Sequence, residues 1–222
     1  MSNPAPPSAT DERKVSRDIA ATGPGRCVMY AIFSDLLASP FDATPAVAGS
    51  AIDVESLLLP YELGGLQALL DEWRDTPLDV RKRLYSGMFE VGSDGPPVPI
   101  REDLHLRQPA GVREYIVRFY EYFGYGLEEK LAWEPDHLSI ELAFMHFLCF
   151  KETQTLDAAA GADASSFQLA QIDFAERHLC NWVSELAEKA IQQQPDGIYP
   201  RLLAALSEFV VKDYQWQAGT IT

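Results

Sequence analysis

Glu134, Asp136, His137 and Glu141 stand close together in the stretch WEPDHLSIELAFMHF, residues 133–147. Three chemistries can use such residues. Histidine and carboxylates can hold a metal. A histidine beside an acid can move protons. Carboxylates stiffened by a proline can present a charged lip to a basic peptide. His137 and Glu141 are four apart and share a helix face. His146, nine residues beyond His137, falls ~180° away at ~100° per residue and cannot join them. No nucleophile stands at a recognisable spacing, and the chain has no GxGxxG after a strand, no P-loop and no GxSxG elbow. Pro135 biases Glu134 away from the helical region, so EPD also reads as a helix start with Asp136 capping the helix that follows. On these residues alone the cap, the lip and a metal pair at His137 and Glu141 all stand open.

The elements that must position this cluster are helical. In RCVMYAIFSDLLASP, Val28, Met29, Ile32, Phe33, Leu36 and Leu37 follow the i, i+3, i+4 rule, and Gly23-Pro24-Gly25 is expected to break the chain ahead of this helix. A second helix carries Leu66, Leu69, Leu70 and Trp73 on one face. Thr76-Pro77-Leu78-Asp79 predicts a third, with Thr76 as its cap, presenting Val80, Leu84 and Met88. The prolines of VGSDGPPVPIRED predict a stiff loop. A helix follows through Val112, Tyr115, Ile116, Phe119 and Phe123, closed by Gly124 or Gly126. The helix after EPDH runs to about Thr155 and is apolar nearly all round, which implies burial. Its polar entrance then emerges where a groove would have its rim. DAAAGADASS, residues 157–166, predicts a loop that could serve as a hinge, followed by one helix through Ile172, Leu179, Trp182 and Leu186 and another through Leu202, Leu206 and Val210. No stretch alternates with period two. The fold class is all-α, a single helical domain over residues 24–217 behind a disordered tail at 1–23.

Composition narrows the function. With 18 Lys and Arg against 33 Asp and Glu, the formal net charge is −15. That argues against nucleic acid as a partner, because phosphate backbones need cations to displace their counterions. It favours basic partners. The imbalance is sharpest between Cys27 and Asp79, where nine acids (Asp35, Asp42, Asp53, Glu55, Glu62, Asp71, Glu72, Asp75, Asp79) face one base, Arg74. The three cysteines, Cys27, Cys149 and Cys180, have neither CxxC nor zinc spacing and read as buried free thiols. No apolar run is long enough to span a bilayer, and the N-terminus lacks the apolar core of a secretory signal. The chain has no Arg-Arg pair. A cytoplasmic protein without stable membrane insertion is expected.

EPDHLSIELAFM resembles the signature of the TorD/DmsD/NarJ family, the cytoplasmic maturation chaperones of molybdenum-containing redox enzymes. The match runs through Glu134, Pro135, Asp136, His137, Leu138, Glu141, Leu142, Phe144 and Met145. Some members carry an extra residue between Pro and Asp, which this chain lacks. RLYSGMFEVGSDGPPVPIRED resembles the family's earlier pattern through Leu84, Tyr85, Gly87, Pro97 and Glu102; the tyrosine common after that acid is absent, and His105 stands nearby. RCVMYAIFSDLLASP is similar to the first helix. FAERHLCNWVSEL is similar to the late helix, through Phe174, His178, Leu179 and Trp182. EPDHL with ELAFM looks closest to the branch serving type II dimethyl sulfoxide reductase-like enzymes, the selenate and chlorate enzymes among them.

The resemblance implies a TorD-like helical bundle that is not an enzyme. Such a chaperone binds the twin-arginine leader or the apo form of a catalytic subunit, assists cofactor insertion and holds back export. It implies a client-binding lip of Glu134, Pro135, Asp136, His137, Glu141 and Glu102, with Leu84, Tyr85 and Pro97 as apolar contacts; Trp133 and Phe144 are further positions near it. His178 and Trp182 read as packing. A histidine at 137 with an ordinary pKa near 6.5 would make recognition pH-sensitive. No resident cofactor is implied. Transient contact with the molybdenum cofactor or a guanine nucleotide has been proposed for some relatives, though no P-loop supports the latter here. Both a monomer and a dimer exchanging its C-terminal helices are compatible with the resemblance.

Overall fold

The computed structural model describes residues 17–42, 45–93, 95–107, 111–127, 134–155 and 161–221, and helices carry the apolar faces that the spacing predicts. They are α1 (Ile19–Leu37), α2 (Leu66–Asp75), α3 (Leu78–Phe89), α4 (Glu102–Leu106), α5 (Val112–Phe123), α6 (Leu138–Thr155), α7 (Gly161–Phe174), α8 (Val183–Gln193) and α9 (Ile198–Gly219). There is no strand among the described residues, and the all-α expectation holds. No helix of the described residues is long and apolar enough to cross a membrane.

Helix α6 is buried on nearly every side, as its composition predicts. Leu138, Leu142, Phe144, Met145, Leu148 and Cys149 have no exposed surface. Each such large side chain contributes roughly 1.5–3 kcal/mol by leaving water. α1 packs along one flank of α6 and α7 along another; α8 packs on α9, which returns to α1, α2 and α7. An aromatic cluster ties α5 to this core: Phe144 lies 4.7 Å from Tyr120 and 4.9 Å from Phe174, ring centre to ring centre.

Several boundaries differ from the sequence expectation. Gly23-Pro24-Gly25 does not break the chain: α1 begins at Ile19, capped by Asp18, and runs through Pro24. Residues 19–23, placed in the tail, are therefore helical. The glycines serve close packing instead. A Cβ on Gly23 would collide with the Thr153 side chain of α6, and one on Gly25 would lie 2.5 Å from the Leu58 carbonyl oxygen. Thr76 closes α2, donating to the Glu72 carbonyl, and Pro77 stands at the start of α3. Of the expected hinge, residues 157–160 lie outside the described residues and Gly161 onward is already in α7, since small Ala-rich sequence is good helix former as well as loop. The single helix expected through Ile172 and Leu186 is divided: a π-turn, Ala175–Leu179, follows α7, and residues 180–182 separate it from α8. Within the proline loop a short α4 starts at Glu102. Cys27 and Cys149 are buried free thiols, while Cys180 is only half-buried.

One buried charge network fastens the two ends of the described chain to the core. Arg26 of α1 donates to both carboxylate oxygens of Asp213 of α9, at 2.6 and 2.9 Å, and to Gln171 of α7 at 2.7 Å. Tyr30, Tyr61 and Gln217 also donate to Asp213, at 2.7, 2.7 and 2.8 Å. Burial pushes the Asp213 carboxyl up, but Arg26 and the two hydroxyls outweigh it and hold Asp213 below its ordinary value. Such a pair is costly to halve, because the remaining charge stays desolvated. Asp213→Ala is therefore expected to lower stability by about 3–5 kcal/mol in urea unfolding, and the double variant Arg26→Met/Asp213→Leu to recover most of it. A loss in the double variant as large as in the single would refute this account.

Candidate functional site

The motif segments that carry the resemblance meet at the entrance of α6. Residues 100–103 lie beside residues 136–138: Leu138 donates to the Ile100 carbonyl at 3.1 Å, and Glu102 donates to the Asp136 carbonyl at 3.0 Å. Tyr120 of α5 donates to the Pro135 carbonyl at 2.9 Å. Ser34 of α1 donates to the Ser139 carbonyl at 2.7 Å. The Pro-Asp-His turn is thus tied to α4 and α5, and the first turn of α6 to α1.

Asp136 is fully buried and does not cap α6. Its Oδ2 accepts the backbone N–H of Asp103 at 3.1 Å, so it caps α4 instead. Its Oδ1 faces Arg101 at 3.4 Å and Arg113 at 3.3 Å. Asp103 shares both cations, at 3.2 Å from Arg101 and 2.9 Å from Arg113. Glu134 joins the rim through Arg101 at 3.6 Å. Burial, then the adjoining Asp136, raises Asp103 to about 6.

His137 supplies the cap that Asp136 was expected to give. Its Nδ1 accepts the backbone N–H of Ser139 at 3.2 Å, and the Ser139 hydroxyl lies 2.8 Å from the same nitrogen. An accepting Nδ1 puts the ring proton on Nε2, which donates to the Tyr85 hydroxyl at 3.1 Å. Burial lowers the His137 pKa to about 4, against the pull of Asp136. The imidazole is neutral through the physiological range, so the expected pH-sensitivity from His137 is withdrawn. Both ring nitrogens are engaged, so a metal at His137 and Glu141 would first have to break one of these contacts. Among the described residues no group of three or more His, Cys, Asp or Glu is placed to hold a metal ion.

Glu141 is buried beside Glu102, Asp136 and Trp182, and neither of its oxygens has a well-formed hydrogen bond among the described residues. Burial first, then the neighbouring carboxylates, holds its pKa well above the usual range, so it stays protonated. Glu102 is buried too and pairs with His178 of the π-turn at 3.0 Å. Trp182 Nε1 donates to the His178 carbonyl, which fixes that turn.

Of the residues expected to form a client-binding lip, Pro135, Asp136, His137, Glu141 and Glu102 are interior, as is Tyr85, and Glu134 is partly exposed. Their place in the fold explains the burial: these groups complete the polar end of a helix that the core encloses, and each has protein neighbours. Leu84 and Pro97 lie apart, on a cavity of about 270 Å³ shared with Met88 and Gln194. Phe144 is core, and Trp133 lies outside the described residues. The sequence reading missed Arg101, Asp103, Arg113 and Tyr120. The one available signal was Arg101, a cation set between apolar residues and two acids.

Comparison with known proteins places these motifs in a wider set. The family model described as "Nitrate reductase delta subunit" matches residues 58–188. The chain is 35% identical over 107 residues to the chlorate reductase assembly chaperone protein of Ideonella dechloratans, covering 47% of this chain and 54% of that one. It is 33% identical over 128 residues to the selenate reductase assembly chaperone protein of Thauera selenatis, covering 57% and 64%. Over 90 residues it is 31% identical to the chaperone protein TorD of Vibrio cholerae, covering 40% of each. The chain thus spans between two fifths and two thirds of the length of these relatives.

A protonated Glu141 has a consequence for stability. In the unfolded chain it ionises near the ordinary Glu value, while in the fold it keeps its proton. Stability from this group is full below that value and falls as pH rises toward the raised one. Glu141→Gln keeps a neutral side chain at all pH. Its stability relative to the native protein, read from urea midpoints at pH 5 and pH 8, is expected to improve at the higher pH. A difference that does not change with pH would show that Glu141 is ionised in the fold.

Proposed function

The chain belongs to the nitrate reductase delta subunit family, and from that premise we propose that it is an assembly chaperone, not an enzyme, for the catalytic subunit of a molybdenum-containing oxidoreductase. The relatives named for chlorate and selenate reductases favour a client of that branch. The observation that carries the reading is the convergence of the family's motif segments on one interior node: Tyr85, Glu102, the Asp136–His137–Glu141 group and His178 lie in or around the entrance of α6. In this reading the motif preserves a scaffold whose surface does the binding.

The protein acts in the cytoplasm, where it holds the client's leader, a segment of adjacent arginines followed by an apolar run, until the cofactor has been inserted. Physical chemistry supports such a partner. Carboxylates pair with guanidinium groups, often bidentately. A net charge of −15 attracts a basic segment over a distance and speeds encounter. That attraction is screened by salt.

A labelled synthetic peptide with adjacent arginines followed by a leucine–alanine run tests this by fluorescence anisotropy. The peptide is expected to bind, to weaken as salt rises, and to lose about tenfold or more in affinity when both arginines become glutamines. Binding that ignores both salt and the arginines would overturn the leader reading.

A further inference from the structure

Two of the three thiols meet inside the fold. Helices α1 and α6 run antiparallel: Ser34, near the end of α1, reaches the first turn of α6, and Gly23, near its start, lies against Thr153 in the last. Gly23 and Cys27 share a face of α1, and His146, Cys149 and Thr153 share a face of α6. The contacts between these two faces close around the sulfurs. His146 donates from Nδ1 to the Cys27 carbonyl at 2.9 Å, and the Cys149 thiol donates to the Gly23 carbonyl at 3.6 Å. Between these contacts the thiols of Cys27 and Cys149 lie within hydrogen-bonding reach of each other. Gly23 permits this approach, since a Cβ there would collide with Thr153.

The two sulfurs stand in different surroundings. Arg26, next to Cys27 in the chain, is fully buried, and its Nη1 has no well-formed hydrogen bond among the described residues; Glu152 is 3.7 Å from it. A buried guanidinium beside a thiol favours the thiolate. Glu152 opposes it at Cys27, but Glu152 is itself engaged by Arg17 at 2.7 Å and Gln171 at 2.8 Å. Hydrogen bonding from Cys149 first, with Arg26 behind it, holds the Cys27 thiol below its ordinary value against burial. The same contact, then burial, holds Cys149 well above its own. Cys27 keeps 6% of its surface exposed and Cys149 none. Cys180 differs from both, because burial pushes its thiol up to about 11. A sulfur disposed to ionise therefore touches one that keeps its proton, which is the arrangement of an oxidisable cysteine beside a resolving one.

We propose that Cys27 and Cys149 are a peroxide-reactive pair that closes into a disulfide between α1 and α6. Hydrogen peroxide is small and uncharged, which suits a pair with so little exposed surface. The Cys27 thiolate attacks one peroxide oxygen and the O–O bond breaks. The departing hydroxide takes up the proton that Cys27 gave up and leaves as water, with a sulfenic acid on Cys27. The Cys149 sulfur then attacks the Cys27 sulfur, the S–O bond breaks, and the second hydroxide leaves as water with the Cys149 proton. Two electrons pass from the two thiols to the peroxide, which ends as two waters. The new bond fastens α1 to α6 part-way between the Gly23–Thr153 and Ser34–Ser139 contacts, and it constrains the unfolded chain between residues 27 and 149. Oxidation thus locks the helix pair that carries the entrance of α6.

The test treats the reduced full chain with hydrogen peroxide and maps it by mass spectrometry without reductant. The expected product has lost two hydrogen atoms, joins the Cys27 peptide to the Cys149 peptide, and returns to the starting mass in dithiothreitol. Its urea midpoint is expected to lie above that of the reduced chain. Cys180→Ser is expected to form the same link. Cys149→Ser, shown to be folded by circular dichroism, is expected to stop at a sulfenic acid on Cys27 that dimedone traps. Cys27→Ser is expected to react with peroxide about tenfold or more slowly than the native chain. A folded native chain in which both thiols survive the peroxide, or in which either joins Cys180 or a second copy, would overturn the pair. An oxidised chain that unfolds at the same or lower urea than the reduced one would overturn the lock.

Discussion

A helix that is apolar all round must be enclosed, and an enclosed helix must hide its own polar start. That constraint organises the molecule. The first turn of α6 has backbone N–H groups that cannot reach water, and His137, neutral and fixed by Tyr85, meets part of that demand. The turn that delivers His137 brings Asp136 inside with it. A buried carboxylate needs donors and cations, and Asp136 has the α4 N-terminus, Arg101 and Arg113. Those partners fix α4, which carries Glu102 to His178 and so sets the π-turn between α7 and α8. Each polar group added to satisfy one neighbour requires the next. The node therefore links α1, α3, α4, α5 and the π-turn to α6.

Much of this was legible in the sequence, for identifiable reasons. The helix faces of α1, α2, α5 and α6 follow from apolar spacing, and the burial of α6 follows from its lack of a polar face. The stop at Gly124, where φ is +70°, follows from glycine's freedom there. What failed were readings in which a distant partner overrides a local signal. Gly23-Pro24-Gly25 looks like a break until Thr153 and Leu58 come close enough to need the missing side chains. Asp136 looks like a cap for α6 because α4, a helix of five residues within a proline-rich stretch, has no periodicity to announce it. The pairing of Glu102 with His178 joins residues 76 positions apart, which neither position reveals alone.

The same distinction bears on function. A cluster of acid, proline and histidine invites a binding site, and its burial also makes it part of the frame. In the proposed reading the motif holds the frame, and the acidic surface around it meets a basic client. Arg26 and Asp213 brace that frame, since Asp213 also holds Tyr61 at 2.7 Å.

The central claim is tested most directly by isolating the tagged chain from the cells that make it and identifying what accompanies it by mass spectrometry. The account predicts one large molybdenum oxidoreductase catalytic subunit, still carrying its arginine-bearing leader and lacking its cofactor. Recovery of that subunit only in its processed, cofactor-loaded form, or of no oxidoreductase subunit at all, would contradict it.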